Sequence, residues 1–307
     1  MKHKHFESSP YLQYKNFHIE LNYYIKLSAA AIDNLLNESN ESNFIDRLDS
    51  LVRNAKEKWN GFHISEPVFE LNKLRVQLTK TGVMWVYSAF DVFLNHVHSL
   101  CSQKNGKSSI DLAEDTPRES KRLRNLFSTY NWDISQITYL EIVYNYYSLM
   151  RHCIVHNMGK ASTELIDIAK SNEFKKAIEN WPTVKENRKL SPPPEIDKKG
   201  NIELNPHHAI TYSDVCYRIS KEINCHILIH LGESYFILSS IKKNILDANH
   251  LHHSNSKRVY GYLKDRIKKE WKLDDLSDSF LREFLEENGI RQKVLAKYKL
   301  LEHSNKS

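Results

Sequence analysis

The fold class is decided by residues 83–101, VMWVYSAFDVFLNHVHSLC, the most apolar stretch of the chain. Their apolar side chains recur at intervals of three and four residues, which is the period of one face of an α-helix. Polar side chains at Ser88, Asp91, Asn95 and His98 follow the same period on another side. We therefore predict a long amphipathic helix from about residue 74 to residue 101, with one buried face. That face consists of Val83, Val86, Phe90, Phe93, Leu94, Val97 and Leu100.

The rest of the 307-residue chain repeats the helical pattern, from residues 18–60 on the N-terminal side to the C-terminal region. Only 8 Gly and 8 Pro are present, which disfavours a many-turned β-fold or a glycine-dependent nucleotide fold. Residues 195–204, EIDKKGNIEL, differ, because a turn at Lys199-Gly200 between short apolar segments is typical of a β-hairpin. We predict an all-α helical bundle with a small β-hairpin insertion and extra N- and C-terminal helices.

Composition and charge exclude several classes of protein. Hydrophobic residues make up 40% and charged residues 27%, which is ordinary for a globular protein. No apolar run approaches the ~20 residues that a membrane span needs. The net charge of +6 is compatible with a polyanionic partner but is far below that of a histone-like protein. The cysteines have no CxxC spacing and are predicted to be buried free thiols of a cytoplasmic protein, with no membrane partner: Cys101, Cys153, Cys216 and Cys225.

Composition shifts divide the chain into three predicted parts. Residues 1–70 form an N-terminal helical extension, and residues 71–246 form the helical bundle. A polar stretch at residues 249–257 then leads to a small C-terminal helical region at residues 256–307. The bundle contains the segment with the strongest functional pattern, residues 151–159.

Residues 151–159, RHCIVHNMG, lie late in a helix predicted over residues 134–158. An arginine and a histidine held near a phosphodiester can cleave RNA without a metal. The guanidinium neutralises phosphate charge, and the imidazole moves the proton of a ribose 2′-hydroxyl. Gly159 is placed where a glycine ends a helix, so that His156 falls in the last turn. A polar stripe runs along this helix at helical spacing: Glu141, Asn145, Ser148, His152 and His156.

Helix geometry limits what this run can do alone. Arg151 and His156 are five residues apart, or about 140° around the helix axis. His152 and His156 share one face. Either the long side chain of Arg151 bends round the helix, or Arg151 of one protomer acts beside the partner's His156. The second arrangement removes the difficulty and predicts a homodimer with a composite site.

Each candidate residue also has a purely structural interpretation. Arg151 on a half-buried stripe can pair with a carboxylate, and a histidine near a helix end can cap carbonyl groups. Asp91 can orient Arg151 or a histidine, or it can be an exposed acid on an amphipathic helix. A basic run can bind RNA phosphates or form a solvated face; it consists of Arg118, Lys121, Arg122 and Arg124.

The run resembles the signature of the HEPN superfamily, named for higher-eukaryote and prokaryote nucleotide-binding proteins. Arg151 and His156 match the two defining positions, and His152 matches the polar residue after the arginine. The ending Ile154-Val155-His156-Asn157, followed closely by Gly159, is similar to that of prokaryotic members. A preceding apolar helix with an internal acid, Asp91, adds an architectural likeness over about residues 71–245. Met158 stands where some members have a tyrosine, so any role of that hydroxyl is absent.

The resemblance implies a metal-independent endoribonuclease that needs no cofactor and leaves 2′,3′-cyclic phosphate ends. Such proteins are often toxins or abortive-infection effectors of anti-phage defence. Arg151 would hold the scissile phosphate, His156 would be the general base or acid, and His152, Asn157 and Asp91 would support them. The implied partners are RNA (tRNA, rRNA or mRNA), a second copy of the chain, and an antitoxin or phage-derived regulator. The alternatives are a non-catalytic HEPN-like dimerisation or RNA- or protein-binding module, or a coincidence in an unrelated all-α protein.

Overall fold

The computed structural model describes residues 6–57, 59, 66–103, 122–179, 193–253 and 258–304. These residues are almost entirely helical and contain no β-strand, so the predicted all-α class is confirmed. A short 3₁₀ turn occurs at Ser135–Ile137, and a π-helical turn occurs at Lys242–Leu246. The helices are α1 (Ser9–Glu38), α2 (Phe44–Arg53), α3 (Pro67–Gln103), α4 (Arg122–Thr129), α5 (Thr138–His156), α6 (Thr163–Lys170), α7 (Asn172–Glu179), α8 (Pro206–Leu231), α9 (Glu233–Ile241), α10 (Val259–Trp271), α11 (Asp278–Glu287) and α12 (Arg291–Ser304).

The predicted apolar helix is α3, and its predicted face lies in the core. Val83, Val86 and Phe90 are fully buried, and Leu100 packs against the core while partly exposed. The helix is longer than predicted, because it begins at Pro67, a residue whose fixed φ suits the first helical turn.

The three longest helices, α1, α3 and α8, pack together as the centre of the fold. Gly82 of α3 allows their close approach. A Cβ atom at this position would lie 2.8 Å from both Ala209 Cβ of α8 and Ile25 Cδ1 of α1, closer than real Cβ contacts. Helix α5 packs against α3, α7 and α8, so the core of the bundle holds the C-terminal end of α5 in position.

The N-terminal residues are tied to distant parts of the chain. The Ser8 hydroxyl caps α1, and its main-chain N–H donates to Asn224 Oδ1 of α8 over 2.8 Å. The main-chain N–H of Glu7 donates to the carbonyl oxygen of Trp271 at the end of α10. Although the division at residue 70 stays a prediction, α1 shares one core with α3 and α8.

The predicted β-hairpin at residues 195–204 is wrong as a pair of strands. The chain does reverse there, at Gly200 with φ of 81°, but only the isolated bridge between Ile196 and Ile202 joins the two arms. The Asp197 side chain accepts from the N–H groups of Lys199 and Asn201, which holds a local turn without extending a ladder.

Two further expectations are corrected. The apolar period of residues 212–246 predicts one long helix, but the helix begins earlier, at Pro206, and is divided at Gly232, whose φ of 80° ends α8 before α9 begins. Cys225 is exposed, whereas the other three cysteines are buried as predicted. Among the described residues, no helix is long and apolar enough to cross a membrane.

Candidate functional site

The Arg–His run occupies the end of α5, where buried side chains hold the helix in place. Tyr146, Tyr147, Met150 and Cys153 are buried around it. Burial raises the pKa values of Tyr146 and Tyr147 above their ordinary range. These tyrosines therefore pack the helix and do not offer free ring faces for RNA bases.

Helix α5 ends at His156 through two consecutive residues with positive φ. Met158 has φ of 52° and Gly159 has φ of 84°. The N–H groups of Asn157 and Gly159 both donate to the carbonyl oxygen of Cys153, each over 3.0 Å. The sequence correctly indicated a glycine-assisted end here, although the helix stops two residues earlier than predicted.

The segment after α5 is fastened by the turn at residues 195–204. The Ile202 N–H donates to the Gly159 carbonyl oxygen over 3.2 Å, and the Ala161 N–H donates to that of Gly200 over 2.8 Å. These bonds use backbone groups that point away from the other arm of the turn, because the N–H groups of Asp197 and Glu203 form the bonds between the two arms. They also tie the segment that follows His156 to this turn, so the chain leaves α5 in a fixed direction.

Arg151 and the two histidines lie on different sides of α5. The Arg151 guanidinium carbon lies 4.5 Å from the ring centroid of Tyr87 on α3, in a cation–π contact, and the side chain is partly buried. His152 and His156 are exposed, and their ring centroids are 4.6 Å apart. This separation agrees with the angle of about 140° around the helix axis expected between Arg151 and His156.

A second cation, Lys80 of α3, lies beside the end of the run. A Cβ atom built on Gly159 would be 3.7 Å from Lys80 Nζ, so the ammonium group approaches the glycine backbone. Neither Lys80 nor Tyr87 is among the site residues predicted from the sequence. Their signal is register: Lys80, Tyr87, Asp91 and His98 follow one another at seven, four and seven residues along one flank of α3.

The acidic candidate Asp91 forms an ion pair with Arg122 of α4, one turn along α3 from Tyr87. Asp91 therefore connects α4 to the flank on which Arg151 rests. Arg122 and Arg124 are both used in structural pairs, since Arg124 binds the buried carboxylate of Glu141 on α5. The other two members of the basic run, Arg118 and Lys121, lie outside the described residues.

Asn157 caps the end of α5 through its main chain and is partly buried. Ser148, from the same predicted polar stripe, is buried, and its hydroxyl is 3.2 Å from that of Tyr212. The stripe thus changes from buried at Glu141 and Ser148 to exposed at His152 and His156.

The end of α5 combines two kinds of chemistry. Arg151 and Lys80 place positive charge at this end of the helix, and two exposed imidazoles are groups of a kind that can transfer protons. No group of three His, Cys, Asp or Glu side chains with metal-binding geometry occurs among the described residues. No protein-family model, curated protein or solved structure matches this chain.

Proposed function

We propose that the chain is a metal-independent endoribonuclease of HEPN type, acting as a toxin or an anti-phage defence effector. The observation that carries the proposal is the pair of exposed imidazoles of His152 and His156 in the last turns of α5, with the partly buried guanidinium of Arg151 on another side of the same turns. An exposed imidazole pair is accessible to a substrate, and a fixed cation nearby favours an anionic one.

In the proposed reaction, His156 accepts the proton of a ribose 2′-hydroxyl as its oxygen attacks the adjacent phosphorus. The bond from O2′ to phosphorus forms, and the bond from phosphorus to O5′ breaks. The protonated imidazole of His152, on the same chain as that His156, gives a proton to the departing O5′. Arg151 stabilises the charge on the five-coordinate phosphorus. The products are a 2′,3′-cyclic phosphate and a free 5′-hydroxyl.

A homodimer with a composite site fits this chemistry better than a single protomer. Arg151 is held on Tyr87, whereas His152 and His156 face solvent on another side of α5. Val155 and Met158 expose apolar side chains at the same end, 42% and 91% respectively, which suits a contact with a second copy. In the proposed dimer, Arg151 of one protomer faces the partner's His156.

The contact between Arg151 and Tyr87 also supports a second candidate function. A guanidinium already engaged by Tyr87 suits a non-catalytic module that dimerises or binds RNA or protein through the α5 end. Such a module binds without cleaving and is not toxic on expression.

The proposed location is the cytoplasm, where RNA is accessible, with an antitoxin or phage-derived regulator as a further proposed partner.

The test is cleavage of total RNA or tRNA by the purified full-length chain in the presence of EDTA, with detection of 2′,3′-cyclic phosphate ends. We expect the wild type to cut, and Arg151→Ala and His156→Ala to lose at least ~100-fold of the rate, as befits loss of a charge-stabilising or acid–base group. His303→Ala, at an exposed histidine of α12, is the matched control and should be unaffected. Equal cleavage by wild type and both variants would refute the proposal. RNA binding without cleavage would favour the non-catalytic module.

A further inference from the structure

A second polar cluster lies between α9 and α10, on elements that do not carry the Arg–His run. We call it the Asn244 cluster; it consists of Ser240, Lys243, Asn244, Arg266 and Glu270. Asn244 lies in the π-helical turn at Lys242–Leu246 and is fully buried. Single π-turns are uncommon and often occur at functional sites.

The buried amide of Asn244 has a fixed orientation. Its Nδ2 group donates to the carbonyl oxygen of Ser240 over 2.8 Å and to both oxygens of Glu270 over 3.1 Å. Only Oδ1 is left to accept, and Arg266 Nε donates to it over 3.1 Å. The guanidinium of Arg266 is thereby positioned through its inner edge.

Glu270 does not neutralise Arg266, although the two residues are one turn apart on α10. The Glu270 carboxylate accepts from the Ser240 hydroxyl over 2.6 Å, from Asn244, and from Lys243 Nζ over 3.0 Å. Burial alone would raise the pKa of Glu270, but these hydrogen bonds outweigh it and hold the pKa below its ordinary value. In the part of the chain that the structure describes, Arg266 has no carboxylate partner and its two Nη groups donate to no acceptor.

Two histidines of the loop after the π-turn complete the surroundings of Arg266. His250 and His252 are exposed, with ring centroids 5.2 Å apart. The main-chain N–H of His252 donates to the Tyr262 hydroxyl, which itself donates to the Asn244 carbonyl oxygen. The pKa of His252 is lowered first by partial burial and then by the positive charges of Arg266, His250 and Lys243, against a smaller opposite effect of Glu270. Arg266 and Lys243 are therefore both close enough to His252 to disfavour its charged form.

We propose that Arg266, with Lys243, His250 and His252, binds a phosphate group. A guanidinium anchored at Nε presents its two Nη donors side by side, which matches two oxygens of a phosphate. A bound anion would also offset a partly desolvated positive charge that has no ion-pair partner in the described residues. The proposal is independent of the ribonuclease proposal, because none of its residues belongs to α3, α4 or α5. A free nucleotide and the backbone of an RNA chain present the same chemistry.

The experiment is calorimetric titration of the full-length protein with inorganic phosphate, with adenosine 5′-monophosphate and with a short RNA oligonucleotide. We expect saturable binding that Arg266→Gln weakens at least tenfold. Lys269→Gln, which removes one positive charge from an exposed position on the same helix, should change the affinity less than twofold. The double variant His250→Gln/His252→Gln, at exposed positions, should also weaken binding without affecting folding.

The three ligands distinguish the sources of phosphate. If Arg266→Gln weakens the binding of inorganic phosphate or of the nucleotide, the site takes a small molecule. If it weakens only the binding of RNA, the site contacts the RNA backbone. The proposal is overturned when no ligand binds, or when Arg266→Gln and Lys269→Gln have equal effects. Binding by Arg151→Ala and His156→Ala variants should be unchanged for the small ligands, so failure here and failure of the ribonuclease proposal give different results.

Discussion

Removing the side chain of Arg124 should destabilise the protein mainly through the carboxylate it leaves behind. The Glu141 side chain is 2% exposed and that of Arg124 is 68% exposed. The two form a bidentate pair, with Arg124 Nη2 3.0 Å from Glu141 Oε2. Pairing with Glu141 also raises the pKa of Arg124 above its ordinary value. Arg124→Ala therefore leaves a negative charge in the interior without a partner.

The magnitude lies between two limits. Breaking a fully buried pair by removing one partner costs ~3–5 kcal/mol, whereas breaking an exposed pair costs about 0–1 kcal/mol. Because the arginine end faces solvent, water can reach the carboxylate in the variant, so we expect a loss of about 2 kcal/mol in the free energy of unfolding. In the Arg124→Ala/Glu141→Gln double variant the buried group is neutral, and about half of the loss should be recovered.

The assay is urea unfolding followed by far-ultraviolet circular dichroism, for wild type, both single variants and the double variant. Arg53→Ala is the control, because Arg53 and Asp49 form an exposed pair one turn apart on α2, and we expect a change below about 0.5 kcal/mol. If Arg124→Ala costs no more than the control, or if Glu141→Gln recovers nothing, the reasoning is wrong. Whatever the outcome, an Arg124 variant tests RNA binding only once its stability has been measured.

Two other predictions concern packing and pH. Gly82→Ala should lower the free energy of unfolding by ~1 kcal/mol despite the better helix propensity of alanine, because its Cβ would lie 2.8 Å from Ala209 Cβ and Ile25 Cδ1. In urea unfolding, Ile25→Val should cost less stability in the Gly82→Ala protein than in the wild type. A Gly82→Ala protein more stable than the wild type would contradict the close approach of the helices. Glu270 has a lowered pKa in the folded protein, so its stabilising contribution is present above its ordinary pKa of 4.5 and is lost as pH falls through the folded value. The melting temperatures of wild type and Glu270→Gln should differ at about pH 6 and converge towards about pH 3, and a constant difference over that range would count against the hydrogen-bonded carboxylate.

Periodic features were predictable from sequence because they depend on one helix at a time. The buried face of α3 follows from the 3.6-residue repeat of its apolar residues. The divergence of Arg151 from His156 follows from rotation per residue alone. The register of Lys80, Tyr87 and Asp91 was equally visible, but periodicity does not tell which neighbouring helix such a flank meets.

Features that depend on distant partners were not predictable. Asp91 pairs with Arg122 across 31 residues of chain, and Glu141 pairs with Arg124 across 17. Gly200 predicts the turn at residues 195–204, but the expected strands do not extend beyond one bridge, because the Asn201 N–H bonds to the Asp197 side chain and not across the ladder. Local propensity indicates a reversal, but it does not show that the second arm also bonds to the segment after α5.

The central claim is that a catalytic site forms from Arg151 of one protomer and the partner's His156. The most direct measurement is RNA cleavage, in EDTA, by an equal mixture of Arg151→Ala and His156→Ala chains that have been allowed to exchange subunits. Each variant alone should be inactive. A randomly assorted mixture should recover about a quarter of the wild-type activity, because half of the dimers contain one intact composite site of two. An inactive mixture whose heterodimers are verified by light scattering and mass spectrometry would contradict the composite site.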